Sequence, residues 1–379
     1  MISQYAFATR MAKLSNLLED KLSKDIFWAR LRFDCEPTLE GEAYLYASNS
    51  LVSKEEIMVH RDIKSISEKI TADGKKLILY GASTTGKTVG RLILEGGGDF
   101  HAYCARNHEK YTDGVLGKPV YSPQYIFDHP NEFYILIPSI DTAEEIFNTI
   151  MENHFPKEQV EFWFRPVTRR AIEAQTYFDF PEFFPKGTAF VDAGCCDCGT
   201  SIRFSEWCGG NYSKIFAFEP DPENYRKCQN IVENSNLRIE LFPLGLSEHS
   251  GVLRFAANGT AGSYVMRQET AQQIGSFNIL AGEAAKKEIT IQCVALDDIV
   301  GNTTIGLIKM DIEGAELDAL RGAEQTILRD QPQLAICVYH RCGDVLAIMD
   351  YLHNLVPQYR FWLRHYYVCG GDTVLYASL

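Results

Sequence analysis

The sequence predicts an α/β protein: a seven-stranded Rossmann-like sheet in the C-terminal half, preceded by a small parallel α/β domain and an N-terminal helical segment. Three observations carry this expectation. Apolar runs of strand length alternate with amphipathic helical stretches from Lys75 onward. Two glycine loops each follow such a run and open a helical stretch: GASTTGKT at Gly81–Thr88, and DAGCCDCGTS from Asp192. The hydrophobic fraction is 46% over 379 residues, enough for two cores.

Residues 1–72 read as helical. Leu14, Leu17, Leu18 and Leu22 recur at helical spacing, and Ser53 with Glu56 forms a capping box ahead of Ile57, Ile63, Ile66 and Ile70. This segment carries no chemistry and suits an accessory role, with homo-oligomerisation through its helices. Over 73–165, LILY, FHAYCA and FYILIP read as strands and DTAEEIFNTIMENH as a helix. The stretch 166–187, with Pro166, Pro181 and Pro185, reads as a linker. Over 188–379 the strands AFVD, KIFAFE, RIELFP, GLIKMD, QLAICVYH, YRFWLRH and TVLYAS make seven, the last two pairing antiparallel. GVLRFA and ITIQCVAL read as further strands flanking a polar stretch at 257–289.

A net charge of −13 argues against nucleic acid or acidic membrane as a partner, because phosphate contacts need clustered Lys and Arg. The 11 cysteines are odd in number and several sit in apolar runs (Cys104, Cys293, Cys337), the usage of reduced thiols in a cytoplasmic protein. No apolar run is long enough to span a bilayer, and the N-terminus does not read as a signal peptide.

GASTTGKT fits the phosphate-loop pattern G-x-x-x-x-G-K-[ST]. Triphosphate chemistry also needs a carboxylate for magnesium on a neighbouring strand. The candidate strand instead ends ILIPSID, with Pro138 and Ser139 before Asp141. A dinucleotide reading meets Ala105 where an acid would hold a ribose. Nucleotide binding through Lys87 therefore stands as the alternative function. In the second loop, Asp192 closes its strand, Gly194 allows a tight turn, and the next strand ends in Glu219. An acid at that position suits two vicinal ribose hydroxyls. With no Lys or Arg in the loop, the preferred ligand carries a ribose and a positive group but no phosphate. S-adenosylmethionine (SAM) meets these conditions.

Residues 188–379 resemble the FkbM family of SAM-dependent methyltransferases through VDAG…DCGTS, FAFEPDPENY, VALDDI, IKMDIEGAELDALRGAE, CVYHRCGDV and YRFWLRHYY…TVLYA. The segment 75–160 resembles the small Rossmann-like domain that precedes the methyltransferase in some members. That resemblance implies a class I methyltransferase sheet and O-methylation of a hydroxyl on a glycan, a sugar nucleotide or a secondary metabolite. A SAM-binding module without turnover is the remaining reading. One departure is Cys198, which stands where the family's loop usually carries another glycine.

The expected cofactor residues are Asp192, Gly194, Asp197, Thr200, Ser201, Glu219 and Gly245. The expected catalytic residues are His340, Asp311 and Glu313, with His340 as general base because imidazole titrates near neutrality. Arg341, Arg364, His365 and Tyr264 are the candidates for orienting the acceptor, alongside Tyr366, Gly262 and Ser263. Glu316 is read either as functional or as a partner of its helix N-terminus. A divalent metal on Asp311, Glu313 and Asp298 is an alternative to a metal-free site. Cys195, Cys196, Cys198 and Cys208 are read as buried or loop thiols rather than a zinc site.

Overall fold

The strand–loop–helix alternation folds as two units. The computed structural model describes residues 4–35, 41, 44–45, 47–49, 52, 63–139, 142–257, 264–265, 287–366 and 371–379. One unit holds the described residues between 41 and 173, and the other holds residues 4–35 with the described residues from 174 on.

In the first unit β1 (Lys76–Tyr80), β2 (Ala102–Cys104), β3 (Val120–Tyr121), β4 (Phe133–Ile137) and β5 (Val160–Phe162) form a sheet of order β3-β2-β1-β4-β5. All four pairings are parallel. β3 and β5 are too short to stand out in the sequence. Ile78, Phe133, Ile135 and Ile137 pack with Ile126, Ile146 and Ile150 into one core. The helix Ile63–Ala72 buries Ile63, Ser67 and Ile70. The capping pair Ser53 and Glu56, together with Ile57 and Asp141, lies outside the described residues.

The second unit has a seven-stranded sheet. Its strands are β6 (Ala189–Ala193), β7 (Ile215–Phe218), β8 (Ile239–Phe242), β13 (Ile305–Met310), β14 (Gln333–Cys337), β15 (Arg360–His365) and β16 (Thr373–Ser378), in the order β15-β16-β14-β13-β6-β7-β8. β8 through β14 pair in parallel, whereas β16 runs antiparallel to both β14 and β15. Every residue of β6, β13 and β14 is buried, as expected for central strands covered on both faces. A separate sheet, order β11-β10-β12-β9, contains β9 (Gly245–Leu246), β10 (Gly251–Ala257), β11 (Tyr264–Val265) and β12 (Lys287–Val294).

Two boundaries differ from the sequence-based expectation. The helices Gln4–Asn16 and Lys21–Cys35 belong to the second unit. Leu18 bridges to Phe361, Ser23 Oγ accepts from Leu363 N at 2.9 Å, and Arg364 pairs with Asp20 at 2.8 Å. The chain thus covers its own sheet edge at β15, where an open ladder would invite another strand. The expected linker 166–187 contains the helix Pro166–Gln175 and then buries Tyr177, Phe178 and Phe184. Aromatic side chains, not a proline-rich connection, decide where that stretch goes.

Candidate active site

The loop after β6 begins with Asp192, which is fully buried. Ser201 Oγ donates to its Oδ2 at 2.7 Å, and Lys309 Nζ lies 3.2 Å from its Oδ1. Lys309 also donates to the carbonyls of Ala193 (3.0 Å) and Gly194 (2.7 Å). Sheet register explains this, since Lys309 on β13 is the direct partner of Asp192 on β6. The Asp192 carboxylate therefore ties the loop to the sheet, and it is not among the residues that line the cavity beside it. Asp197 Oδ1 accepts from Gly199 N at 2.9 Å, and Thr200 Oγ1 accepts from Arg203 at 3.3 Å. With Ser201 they set the turn into the helix Gly199–Trp207 and, like Asp192, do not line the cavity.

Gly194 has φ 73°, and a Cβ there would stand 2.0 Å from the Asp311 carbonyl oxygen. Its lack of a side chain lets the tips of β6 and β13 touch. Beside this contact a cavity opens between Gly194, Glu219, Gly245, Asp311 and Glu313. Phe255 of β10 and Ile291 of β12 supply an apolar wall from the separate sheet. The lining includes three carboxylates and no Lys or Arg among the described residues.

Glu219 follows β7. Its Oε2 accepts from Cys196 N (2.9 Å) and its Oε1 from Asp221 N (2.8 Å). The two amides fix the carboxylate plane, and each oxygen keeps lone-pair capacity for a further donor. Burial pushes the Glu219 carboxyl up to about 8, against the pull of the Asp221 and Cys196 amides.

Asp311 follows β13. Tyr177 Oη donates to its Oδ2 at 2.7 Å and Tyr339 Oη to its Oδ1 at 3.2 Å. His340 Nε2 stands 3.4 Å from the same Oδ1 and 3.8 Å from Glu313 Oε2, while Nδ1 is 2.9 Å from Glu316 Oε1. Burial alone would raise the Asp311 carboxyl, but Lys309 and His340 hold it below the usual carboxylate range. Burial would likewise lower His340, yet Glu316 and Glu313 carry it up to about 10. The carboxylates around His340 therefore favour its charged form, which weighs against the expected role as general base. Glu316 also accepts from Ile312 N at 2.9 Å, at the start of the helix Glu316–Arg321. Glu313 holds a left-handed φ of 57° that turns it into the cavity wall.

The remaining candidates separate. Arg341 packs over Gly314, whose Cβ would meet Arg341 Nε at 2.9 Å. Arg364 binds Asp20 and Ser23, and His365 Nδ1 meets Thr373 Oγ1 at 2.9 Å, so neither lines the cavity. Tyr366 donates to Asp179 at 2.7 Å and is buried. The Tyr264 side chain, Gly262 and Ser263 lie outside the described residues. Asp298 accepts from Ser250 at 3.4 Å, whereas the carboxylates of Asp311 and Glu316 and the imidazole of His340 have ligand atoms within 4.8 Å of one another. Lys309, Tyr177 and Tyr339 escaped sequence reasoning. A lysine inside the apolar run GLIKMD was the one available signal.

The earlier loop is built differently. The helix Thr84–Glu95 starts within GASTTGKT, so Lys87 N already donates to Ser83 O at 2.9 Å. A Cβ on Gly86 would lie 2.0 Å from Gly81 O, and Lys87 is exposed. The amide of Lys87 is thus already held by the helix ladder, while Ser83 places no side-chain cap on the helix start.

Residues 192–361 match the Methyltransferase FkbM domain. The 2-O-methyltransferase NoeI of Sinorhizobium fredii is 26% identical over 145 residues, 37% of this chain and 58% of that protein. Methyltransferase 1 of Beauveria bassiana is 28% identical over 154 residues, 37% of this chain and 60% of that protein. The chain thus spans about three fifths of the length of these curated relatives. A crystal structure of Methyltransferase FkbM from Methylobacillus flagellatus superposes with a TM-score of 0.45 at 19% identity, over 89% of this chain and 98% of that one. Over residues 192–361 the C-terminal half of this chain is thus similar to the FkbM methyltransferase domain.

Proposed function

We propose that the chain is a SAM-dependent O-methyltransferase acting on a hydroxyl of a glycan, a sugar nucleotide or a secondary metabolite. One observation carries the cofactor assignment. Glu219, fixed by two backbone amides at the tip of β7, faces a cavity whose charged lining is all carboxylate. That chemistry suits a ribose diol and a cationic sulfonium or ammonium, and it repels a polyphosphate. SAM, when bound, supplies an electrophilic methyl group. NoeI is named a 2-O-methyltransferase, which supports a hydroxyl acceptor.

Glu219 holds the ribose, and Gly194 and Gly245 give it room. Asp311, kept ionised by Lys309 and His340, stabilises positive charge at the cavity floor. Glu313, on the cavity wall, takes the acceptor's proton as the hydroxyl attacks. His340 positions both carboxylates as their shared counter-charge. Arg341, over Gly314, orients the acceptor. Free cysteines, with no disulfide among the described residues, suit a reducing cytoplasm. No helix among the described residues is long and apolar enough to cross a membrane.

Radiolabelled SAM incubated with fractionated extract tests the reading. Label should appear in one hydroxyl-bearing pool and vanish with Glu313→Gln, while SAM affinity in that variant stays intact. SAM binding without any labelled pool would leave a binding module, and no SAM binding would end the assignment.

A further inference from the structure

Three thiols beside the cofactor loop have no part in that chemistry. Cys195 and Cys198, on the loop after β6, and Cys228, on the helix Pro222–Asn234, bring their Sγ atoms within 4.8 Å of one another. Cys195 Sγ is 3.7 Å from Cys228 Sγ and 4.0 Å from Cys198 Sγ. All three side chains are buried, with exposures of 2%, 0% and 0%, and none lines the cavity. Cys208 lies elsewhere, its Sγ 3.6 Å from Ser205 O.

We propose that Cys195, Cys198 and Cys228 bind one structural Zn²⁺ that staples the loop after β6 to the helix after β7. Tetrahedral zinc with Zn–S bonds of about 2.3 Å has sulfur–sulfur edges of about 3.8 Å. The two measured edges fall on either side of that value. Two packed thiols could reach the same separation, but here three converge from two elements and make one face of a coordination tetrahedron. Cys195 and Cys198 have the C-x2-C spacing of zinc knuckles, and Cys228 supplies the third sulfur that the sequence could not place. Cys198 holds φ 60°, a left-handed conformation that glycine adopts more easily, so the loop keeps a sulfur at a backbone cost. The Cys196 carbonyl oxygen, 3.1 Å from Cys228 Sγ, is a neighbouring donor for the fourth position. Charge selects the ion: three thiolates around Zn²⁺ leave one net negative charge, whereas Cu⁺ would leave two in a buried site. Each thiol gives its proton to the buffer as the metal enters.

The test uses the full chain produced in zinc-supplemented medium and purified without chelator. Elemental analysis should find one zinc per chain. Exchange with Co²⁺ should give thiolate charge-transfer absorption in the near ultraviolet. Both signals should persist in Cys208→Ser and be lost in Cys228→Ser. Because serine at Cys228 risks the fold, Cys198→Gly is the second variant. It relaxes the left-handed backbone, should keep native circular dichroism, and should still lose the metal. Protein that takes up no stoichiometric Zn²⁺ or Co²⁺ overturns the proposal, as does zinc retained by Cys198→Gly. A Cys195–Cys228 disulfide, seen as a two-hydrogen mass loss in metal-free protein, overturns it too. None of these readouts depends on methyl transfer.

Discussion

The two glycine loops start from the same local grammar, an apolar strand followed by a turn and a helix, and arrive at opposite results. In GASTTGKT the helix starts early and the close approach lies within the loop, where Gly86 packs on the Gly81 carbonyl. Tyr103 Oη donates to Gly86 O and Tyr111 Oη to Ala82 O, both at 3.3 Å. In the loop after β6 the close approach is made to another strand end, where Gly194 meets the Asp311 carbonyl. A glycine that packs on its own loop tightens that loop alone. A glycine that packs on the neighbouring strand leaves the mouth open toward Glu219. The motif reports that a turn is tight; it does not report what the turn encloses.

Removing Glu219 should give the largest effect. Glu219→Ala deletes the acceptor for two hydroxyl donors and strands the Cys196 and Asp221 amides. Charge-assisted hydrogen bonds contribute about 1.5–3 kcal/mol each, so SAM affinity should fall roughly 10²- to 10⁴-fold in isothermal titration. Unchanged affinity would remove Glu219 from the site and with it the contrast between the loops.

Gly194→Ala comes next. The new methyl cannot fit 2.0 Å from Asp311 O, and the positive φ adds strain. A loss of about 2–4 kcal/mol in unfolding free energy is expected, together with weakened SAM binding. Gly86→Ala meets an equivalent clash with Gly81 O and should destabilise the first unit while leaving SAM affinity untouched. Equal effects of both variants on SAM binding would mean that the loops are not functionally distinct.

These pairs also mark where sequence reading stops. KIFAFE and GLIKMD announce themselves because β-rich apolar runs end in an acid, so Glu219 and Asp311 are placed without structure. Asp192 looks equivalent and is not, because its partner Lys309 is fixed by the register between β6 and β13. Register is a tertiary property. The charge of His340 depends on carboxylates that its own strand does not carry. Tyr177, in a stretch that reads as a connection, reaches Asp311 because that stretch, with Phe178 and Phe184, is buried in the fold. β3 and β5 pass unnoticed because two or three residues show no period.

The pH response of the second loop should be smaller but specific. Ribose hydroxyls donate to a carboxylate, and the free Glu219 carboxyl is raised to about 8. Below that pH the site must shed a proton to bind. SAM affinity should therefore rise up to tenfold per pH unit, about 1.4 kcal/mol, and level off above about 8. Titrations in buffers of different ionisation enthalpy would detect the released proton, and Glu219→Gln should flatten the profile. His340 gives the opposite sign in stability. Its imidazolium is favoured by the fold, up to about 10 from the ordinary 6.5, so its contribution is whole below pH 6.5 and is lost as pH rises toward 10. Denaturant unfolding of His340→Gln should lose that slope.

The smallest effect belongs to Lys87, the residue the phosphate-loop pattern makes most conspicuous. Its backbone amide is inside the helix ladder, and its ammonium stands exposed, 6.0 Å from the Tyr111 ring centroid. An exposed cation–π contact contributes about 0.5–1 kcal/mol at most. Lys87→Ala should therefore shift unfolding by less than about 1 kcal/mol and leave SAM binding and methyl transfer as they were. ATP at millimolar concentration should give no saturable heat with either chain. A Lys87-dependent ATP signal would instead assign phosphate to the helix start at Thr84, where Ser83 places no side-chain cap.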